Sequence, residues 1–320
     1  MHGKINITVK DARLQYKFTL ERNITILRGD SATGKTTLIE MIRLFNRSGD
    51  DSGVEIICDK KCVALYVDDD FEHQLERYKG CVIFIDEGEK KVSTEAFAKT
   101  IQGTDNYYVI AIREPLPMLP YSVKEIYGIR NKAGNRYQGT KRLYSEFYPL
   151  HSSDIDMIPK PDLVIAEDSK SGYQFWKTVF DKYGIKCITA DGKSNIYSKV
   201  NGNRDKTVLV IADGATFGSE IGKLLELKSI MNLIVYLPES FEWLILKSDL
   251  LKDKTVRDIL DNPNDNIDSE IYFSWEQFFT GLLIEKSTGT YLKYSKNKIN
   301  EAYLQEHTMQ EILRNVPNIN

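Results

Sequence analysis

The chain has 320 residues, of which 42% are hydrophobic and 28% charged, and this balance excludes a disordered, collagen-like or low-complexity protein. At roughly 100 to 200 residues per domain, the length predicts two domains. With 43 basic against 46 acidic side chains and a net charge of -3, the composition argues against a surface that is basic throughout, although a local basic patch is compatible with it.

The apolar runs are short and the cysteines are few. Runs such as residues 81–85 and 233–237 fall well below the roughly 18 residues that span a bilayer, and residues 1–4 lead into an alternating pattern instead of a signal-peptide core. The four cysteines form no C-x-x-C pair and the four histidines are scattered, so neither a disulfide framework nor a zinc site is expected. We expect a cytoplasmic protein with no membrane partner.

The first half of the chain alternates between strand and helix patterns. Residues 1–28 alternate apolar and polar side chains, which is the period-2 pattern of short strands. After Gly29 the apolar spacing becomes helical, at Leu38, Ile39, Ile42 and Phe45. Short apolar runs at 63–67, 82–85 and 108–112 then alternate with helix-like segments at 71–78 and 94–100. This order predicts an α/β domain over residues 1–150, with a parallel sheet and helices on both of its faces.

A polar stretch with two prolines, residues 151–161, interrupts the pattern and predicts a linker. A second α/β domain is predicted over residues 162–320. Its strands are expected at 163–166, 186–189, 207–212 and 232–237, with helices near 173–182 and 219–227. The last eighty or so residues have the apolar pattern of a mostly helical extension.

Residues 29–36 match the phosphate-loop pattern G-x-x-x-x-G-K-[ST], directly after an apolar strand and directly before an amphipathic helix. Glycines let backbone N–H groups close around phosphate oxygens at a helix N-terminus, where the dipole favours anions. Lys35 is expected to reach the β and γ phosphates, and Thr36 to offer its hydroxyl to Mg²⁺. The predicted ATP-binding residues are Gly29, Asp30, Ser31, Ala32, Thr33, Gly34, Lys35, Thr36 and Thr37.

The apolar run 81–85 ends in Asp86 and Glu87, which is similar to the second nucleotide motif of P-loop ATPases. The resemblance implies that Asp86 belongs to the magnesium shell and that Glu87 polarises the attacking water. The run 108–112 ends at Arg113, where related ATPases carry a γ-phosphate sensor. The alternatives are a buried strand with a polar exit and a surface arginine.

Together, these parts resemble the ABC-type ATPases of the structural-maintenance and overcoming-lysogenisation-defect kind over residues 1–148. No Leu-Ser-Gly-Gly-like signature precedes Asp86, and Arg113 stands where the family has a histidine. The resemblance implies that a partner subunit, either a second copy or another protein, contributes cations in trans, so hydrolysis by the single chain should be slow.

Acidic residues also follow the strands of the second half. Glu167 and Asp168 follow the run 163–166, and Asp213 follows the run 208–212. The order resembles the TOPRIM domain of topoisomerases, primases and overcoming-lysogenisation-defect nucleases, over residues 160–245. By this resemblance, Glu167 and Asp213 bind Mg²⁺ or Mn²⁺ for phosphodiester chemistry, while Ala215 stands where the family has a second aspartate. The acids that could compensate are Asp168, Glu220, Glu239 and Glu242. Alternatively, Glu167 and Asp213 are only solvated strand ends.

One stretch is locally basic and aromatic, opposed only by Glu125. It contains Lys124, Tyr127, Arg130, Lys132, Arg136, Tyr137, Lys141, Arg142 and Tyr144. Such a stretch could contact a DNA backbone and stack on bases. The other interpretation, which the Gly134 and Asn135 turn residues favour, is a solvated β-hairpin.

The leading hypothesis is an ATP-binding and ATP-hydrolysing protein with a metal-dependent domain that processes nucleic acid. A nucleotide-gated switch or scaffold, whose second domain binds a partner without cleavage, is the main alternative. A small-molecule kinase is a weaker one, because no arginine-rich lid is recognisable.

Overall fold

A computed structural model describes residues 1–29, 33–66, 70–131, 142–151, 155 and 157–319. The chain divides into two compact units, which we call unit 1 (Met1–Ser152 with Pro263–Phe273) and unit 2 (Ser153–Asn262 with Ser274–Asn320). The sequence pattern placed residues 263–273 in the second domain, whereas they pack in unit 1. Among the residues that the structure describes, no helix combines the length and apolar composition that crossing a membrane requires.

The described elements are as follows. The strands are β1 Ile5–Lys10, β2 Leu14–Leu20, β3 Ile24–Leu27, β4 Glu55–Ile57, β5 Cys62–Leu65, β6 Val82–Ile85, β7 Tyr107–Ala111, β8 Ile126–Asn131, β9 Leu143–Pro149, β10 Met157–Ile158, β11 Leu163–Ala166, β12 Lys186–Thr189, β13 Val208–Ile211, β14 Leu233–Tyr236 and β15 Asn318–Ile319. The helices are α1 Lys35–Ser48, α2 Phe71–Glu76, α3 Glu95–Ile101, α4 Ser171–Lys182, α5 Lys193–Asn201, α6 Ile221–Lys228, α7 Phe241–Lys247, α8 Lys254–Asp261, α9 Pro263–Asn266, α10 Trp275–Ser287 and α11 Glu306–Leu313.

Unit 1 contains a nine-stranded sheet in the order β4-β1-β2-β9-β8-β3-β7-β6-β5. The prediction of a parallel sheet is wrong for part of it, because β1 pairs antiparallel with β2 and β4, and β8 with β9. Only three residues join β1 to β2, too few for a parallel crossover. The Asp11 carboxylate closes this turn by accepting hydrogen bonds from the backbone N–H groups of Arg13 and Leu14, both at 2.6 Å.

The strands around β3 are parallel, as the sequence predicts. β3, β6 and β7 are buried along their whole length, which explains why they appear in the sequence as continuous apolar runs. Helix α1 packs its apolar face, with Leu38, Ile39 and Ile42, into the same core.

The two edge strands of this sheet are adjacent along the chain. β4 and β5 lie at opposite ends of the strand order, yet only residues 58–61 separate them. Because so short a link reaches at most about 18 Å, the sheet must curl back on itself. Asn46 of α1 holds the β5 edge, donating from Nδ2 to the Cys62 carbonyl at 2.8 Å and accepting at Oδ1 from the Ala64 N–H at 2.9 Å.

Hydrogen bonds explain why residues 263–273 belong to unit 1. The Gly3 N–H donates to the Asn264 carbonyl at 2.7 Å, and Asn264 Nδ2 donates to the Glu21 carbonyl at 2.6 Å. Asn23 Nδ2 donates to the Phe273 carbonyl at 3.1 Å. None of these amide pairs leaves a hydropathy pattern that could be detected in the sequence.

Unit 2 contains a four-stranded, fully parallel sheet in the order β12-β11-β13-β14, which confirms the predicted alternation there. The central strands β11 and β13 are completely buried. An aromatic cluster covers the sheet, with ring centroids 5.2 Å apart for Phe175 and Trp176 and 5.0 Å apart for Phe175 and Phe241. The C-terminal part of the chain contains helices α7 to α11 together with the irregular stretch 288–300, so the predicted helical extension is confirmed only in part. β10, within the predicted linker, pairs with β15.

Gly214, three residues after the end of β13, lies where the turns following β13 and β14 touch. Its N–H donates to the Pro238 carbonyl at 2.6 Å, and a Cβ at this position would lie 2.7 Å from the Leu237 carbonyl oxygen and 2.9 Å from that of Pro238. Both oxygens belong to the backbone, so a methyl group cannot be accommodated by a side-chain rotation.

We predict that Gly214→Ala lowers the free energy of unfolding by about 1 to 3 kcal/mol, because the two turns must separate. Urea unfolding followed by circular dichroism measures the change. Gly202→Ala is the matched control, because Gly202 has an ordinary helical φ of -77° and no contact for its Cβ below 3.5 Å. Equal stabilities of the two variants would contradict the steric argument.

Candidate functional site

The phosphate-loop motif lies between β3 and α1 in unit 1, as the sequence predicts. Gly34 precedes α1 with a φ of 94°, and a Cβ there would lie 2.9 Å from the Tyr16 hydroxyl oxygen. That hydroxyl donates to the Gly34 carbonyl at 3.2 Å. Glycine is therefore required both by the backbone conformation and by the close approach of Tyr16. The predicted ATP-binding residues Asp30, Ser31 and Ala32 lie outside the described residues.

Lys35, in the first turn of α1, is 4% exposed and points back across the loop. Its Nζ donates to the Gly29 carbonyl at 2.7 Å and to Thr33 Oγ1 at 3.3 Å, and it lies 3.8 Å from Glu87 Oε2. A buried ammonium needs such acceptors or an anion. Thr36 and Thr37, by contrast, are exposed on the same turn.

Asp86 follows β6 and meets the first turn of α1. Thr36 Oγ1 donates to Asp86 Oδ1 at 3.4 Å, and the same oxygen accepts the Glu87 N–H at 2.8 Å. Asp86 Oδ2 lies 3.9 Å from Arg43 NH1 on α1. The threonine hydroxyl and the aspartate carboxylate are hard oxygen donors, the type that Mg²⁺ prefers.

Glu87 is the carboxylate between the two cations of this site. Its Oε1 accepts from Arg113 NH2 at 2.7 Å. The hydrogen bond from Arg113 and the nearby Lys35 hold the pKa of Glu87 below its usual value, so the carboxylate is ionised at neutral pH. Thr36, Asp86, Glu87 and Arg113 line an open cleft of about 570 Å³.

The structure thus brings together, in unit 1, most of the residues that the sequence predicts for ATP and its magnesium. These are Gly29, Thr33, Gly34, Lys35, Thr36, Asp86, Glu87 and Arg113. Their arrangement can neutralise an anion with Lys35 and Arg113 and offer oxygen ligands from Thr36 and Asp86 to a cation.

In unit 2, Glu167 and Asp213 follow the neighbouring parallel strands β11 and β13, which pair Ala166 with Ile211. Glu167 Oε2 accepts the Asp213 N–H at 3.0 Å, and Asp213 Oδ1 accepts the Phe241 N–H at 3.2 Å. The two side chains therefore lie at one edge of the sheet, as expected from their places after the strands.

A lysine lies among the acids of this edge. Lys296 Nζ is 2.9 Å from Glu276 Oε1, 3.0 Å from Glu242 Oε1 and 4.0 Å from Asp213 Oδ2. Burial lowers the pKa of Lys296, but the three carboxylates raise it further than burial lowers it, so the ammonium form is favoured. We call Lys296, Asp213, Glu242 and Glu276 the lysine-centred cluster.

Glu242 is held in place by a chain of two hydrogen-bonded hydroxyl groups, those of Tyr294 and Ser171. The Tyr294 hydroxyl donates to Glu242 Oε1 at 2.6 Å and lies 2.6 Å from Ser171 Oγ. Because the tyrosine proton is directed at the carboxylate, the serine is the donor in the second bond. Burial and the Glu242 carboxylate raise the pKa of Tyr294, so this hydroxyl stays protonated.

Burial shifts the titration of both predicted metal-binding acids. It raises the pKa of Glu167 to about 7, with Glu276 adding to the shift and the Asp213 N–H opposing it. The pKa of Asp213 is also raised well above its usual value, first by burial and then by Glu276. This edge of the sheet therefore favours a bound proton or a cation.

The acids proposed as replacements for the missing aspartate have different surroundings. Ala215 is buried and its N–H donates to the Glu239 carbonyl at 3.1 Å. Glu220 pairs with Lys223 at 3.2 Å, whereas Glu242 belongs to the lysine-centred cluster. Asp168 also interacts electrostatically with Lys296 and Glu242.

Sequence reasoning missed Glu276, Tyr294 and Lys296. Glu276 lies in the first turn of α10, where Ser274 accepts the Gln277 N–H as a helix cap, so its position in the sequence indicates only a helix start. Lys296 and Tyr294 lie in residues 288–300, a stretch without helix or strand. No periodicity there could have placed their side chains.

The basic stretch forms the antiparallel pair β8 and β9, as the hairpin interpretation predicts. Arg130 pairs with Glu146 at 3.0 Å and lies over the Tyr148 ring, while Tyr127 packs against Phe147. At least one cation of the stretch is therefore neutralised within the sheet. Lys132, Arg136, Tyr137 and Lys141 lie outside the described residues, as does the predicted turn.

Unit 1 contains another group of acids. Asp105, Asp268 and Glu270 present carboxylate oxygens within 4.8 Å of one another. The Met1 ammonium pairs with Asp105 and lies 2.7 Å from Asp268 Oδ1. A cation of the chain itself therefore accompanies two of these carboxylates.

Comparison with known proteins adds nothing to these geometric observations. Neither the scan against protein-family models nor the search of curated proteins finds a match for this chain.

The raised pKa of Glu167 predicts a pH-dependent stability. The folded state holds this proton up to about pH 7, whereas the unfolded chain releases it near its ordinary value of 4.5. The folded state therefore binds more protons between these pH values, and stability must fall as the pH rises through this window.

We predict that Glu167→Gln removes this loss. Between pH 5 and pH 8, the unfolding free energy of the wild type should fall by roughly 2 kcal/mol more than that of the variant, because the amide carries no charge. Urea unfolding in EDTA at both pH values measures it. Glu226→Gln, at an exposed position of α6, should follow the wild-type profile. A Glu167→Gln profile parallel to that of the wild type would contradict the argument.

Proposed function

We propose that unit 1 binds ATP with Mg²⁺ and hydrolyses the nucleotide. The observation that carries the proposal is the meeting of Thr36 and Asp86 at 3.4 Å, beside Lys35 and Glu87. A hydroxyl on the first turn after a phosphate loop and a carboxylate at the end of a nearby parallel strand supply the two protein ligands that such a magnesium site needs.

Each side chain of this site has a role that its surroundings support. Lys35 is buried, cationic and close to the loop, so its ammonium can neutralise a phosphate bound there without first moving through solvent. Thr36 and Asp86 would hold Mg²⁺, which neutralises the charge that develops on the transferring phosphoryl group. Glu87 is ionised and lines the cleft, so it can accept a hydrogen bond from the attacking water and orient it.

Arg113 supplies a second positive charge at this cleft. It is paired with Glu87 at 2.7 Å, yet most of its side chain is exposed to solvent. It is therefore able to turn towards an anion bound in the cleft, which supports its assignment as a phosphate-sensing residue. We expect slow turnover by the single chain, and faster turnover when a second copy or another protein adds a cation.

We predict that Lys35→Ala weakens ATP binding by tenfold or more, corresponding to about 1.5 to 3 kcal/mol for a lost charge-assisted contact. Isothermal titration calorimetry with Mg²⁺ and ATP measures the affinity. Lys99→Ala, on the exposed face of α3, is the control and should bind as the wild type does. Equal affinity of Lys35→Ala and the wild type, with unchanged thermal midpoints, would exclude the assignment.

We predict that Glu87→Gln still binds ATP but no longer hydrolyses it. This variant keeps the shape of the side chain but loses its negative charge, so it should retain ATP and lose phosphate release in single-turnover assays. Unchanged phosphate release would exclude Glu87 as the residue that orients water.

A second candidate function belongs to unit 2, namely cleavage of a nucleic-acid phosphodiester bond with Mg²⁺ or Mn²⁺. It is supported by the placement of Glu167 and Asp213 at one edge of a parallel sheet, with 3.0 Å between Glu167 Oε2 and the Asp213 N–H. Because Ala215 offers no third carboxylate next to them, cleavage should be feeble or require Mn²⁺.

A plasmid-nicking assay with each cation tests this function. We expect weak nicking by the wild type, reduced to the level of the buffer alone in Glu167→Ala and Asp213→Ala, and retained in the control Glu226→Ala. If the wild type does not nick with either cation, the nucleotide-gated switch becomes the better function for unit 2.

A further inference from the structure

The ammonium of Lys296 occupies a position that has the ligands of a cation site. Three carboxylate oxygens, from Asp213, Glu242 and Glu276, lie between 2.9 and 4.0 Å from its nitrogen. They come from the end of β13, from α7 and from α10, so three separate parts of the fold converge on one point. A single positive charge balances only one of these three negative charges.

An unsatisfied oxygen at the same point indicates that the cluster can accept more than the lysine. Glu242 is 0% exposed and lines a small cavity together with Glu167, Asp213 and Lys296. Its Oε1 accepts a hydrogen bond from the Tyr294 hydroxyl and pairs with Lys296 Nζ. Its Oε2, by contrast, is buried and has no hydrogen-bond partner among the described residues. A buried carboxylate oxygen without a partner is costly, and a cation would satisfy it.

The net charge of the side chains around Lys296 also favours the binding of a cation. Five acidic side chains interact electrostatically with one another or with nearby lysines: Glu167, Asp168, Asp213, Glu242 and Glu276. The lysines are Lys170, Lys193 and Lys296, while Glu220, which also acts on Lys193, is paired with Lys223. When these five acids and three lysines are ionised, two negative charges remain uncompensated.

We propose that Lys296 is a built-in competitor for a divalent cation, and that Mg²⁺ or Mn²⁺ binds in exchange for its ammonium, with Asp213, Glu242 and Glu276 as ligands. Carboxylate oxygens are the donors these ions prefer, and an ion carries twice the charge of the lysine that it replaces. The proposal deepens the second candidate function, since it adds Glu242 and Glu276 to the metal-binding residues. Cation exchange is nevertheless measurable without any cleavage.

The groups that take part in the exchange differ in their exposure to solvent. Glu242 is held by Tyr294, whereas the Lys296 and Glu276 side chains are 22% and 26% exposed. Lys296 can therefore leave towards solvent and Glu276 can approach the ion, while Glu242 stays in place. The lysine thus sets the cation concentration above which the site fills.

The test measures Mn²⁺ binding to the full chain without nucleotide, by the loss of the free Mn²⁺ signal in electron paramagnetic resonance. All proteins carry Asp86→Asn, which removes the carboxylate proposed to bind Mg²⁺ in unit 1. We expect Lys296→Met to bind Mn²⁺ on the order of tenfold more tightly than its parent, or better. Lys296→Arg, which keeps a cation, should bind Mn²⁺ as weakly as the parent, which carries Asp86→Asn alone. Lys296→Met/Glu276→Gln should lose the tighter Mn²⁺ binding of Lys296→Met.

Thermal unfolding gives an independent measurement. In EDTA, Lys296→Met should unfold at a lower temperature than the parent, because its acids repel one another, and Mn²⁺ should restore the midpoint. If Lys296→Met does not fold, Lys296→Gln/Asp168→Asn removes one charge of each sign, keeps all three proposed ligands, and should show the same tighter binding.

The proposal is overturned if Lys296→Met leaves the Mn²⁺ affinity unchanged. It is also overturned if adding Glu276→Gln to Lys296→Met does not weaken Mn²⁺ binding. Plasmid nicking distinguishes it from the candidate function. Tighter Mn²⁺ binding without nicking would retain the exchange and exclude the nuclease. Nicking by the parent together with unchanged Mn²⁺ affinity in Lys296→Met would retain the nuclease and exclude the exchange.

Discussion

Parallel pairing of buried strands determines where the candidate functional side chains of this protein lie. In unit 1, β3, β7 and β6 run side by side in one direction, so the phosphate loop after β3 and Asp86 after β6 reach the same edge of the sheet. In unit 2, β11 and β13 place Glu167 and Asp213 in the same way. Because the strands themselves are apolar and buried, their carboxyl ends are where polar groups can meet a ligand.

The two lysines of these sites are compensated in different ways, and this difference shapes their chemistry. Lys35 accompanies backbone and hydroxyl oxygens, with one carboxylate 3.8 Å away, so it keeps its ability to attract phosphate. Lys296 is instead surrounded by carboxylates, two of them within 3.0 Å. An anion would be repelled there, whereas a cation would find ligands.

The C-terminal part of unit 2 completes its acidic edge. Of the lysine-centred cluster, the end of β13 supplies only Asp213, and the other members come from α7, α10 and residues 288–300. Tyr294 links this segment to Glu242 and Ser171 through two hydrogen bonds of 2.6 Å. The segment therefore orients the buried carboxylate as well as carrying the lysine.

Local periodicity and the spacing within one motif were enough to predict the alternation of strands and helices, the parallel sheet of unit 2 and the position of the phosphate-loop motif. The same patterns predicted Asp86, Glu87, Glu167 and Asp213 at strand ends. The mixed pairing of the first sheet and the packing of residues 263–273 in unit 1 became visible in the folded chain alone. The tertiary structure also brought Glu276 and Lys296 to Asp213. These pairings join segments distant in the chain through turns and single hydrogen bonds, which carry no periodic signal, so their geometry exists only once the whole unit has packed.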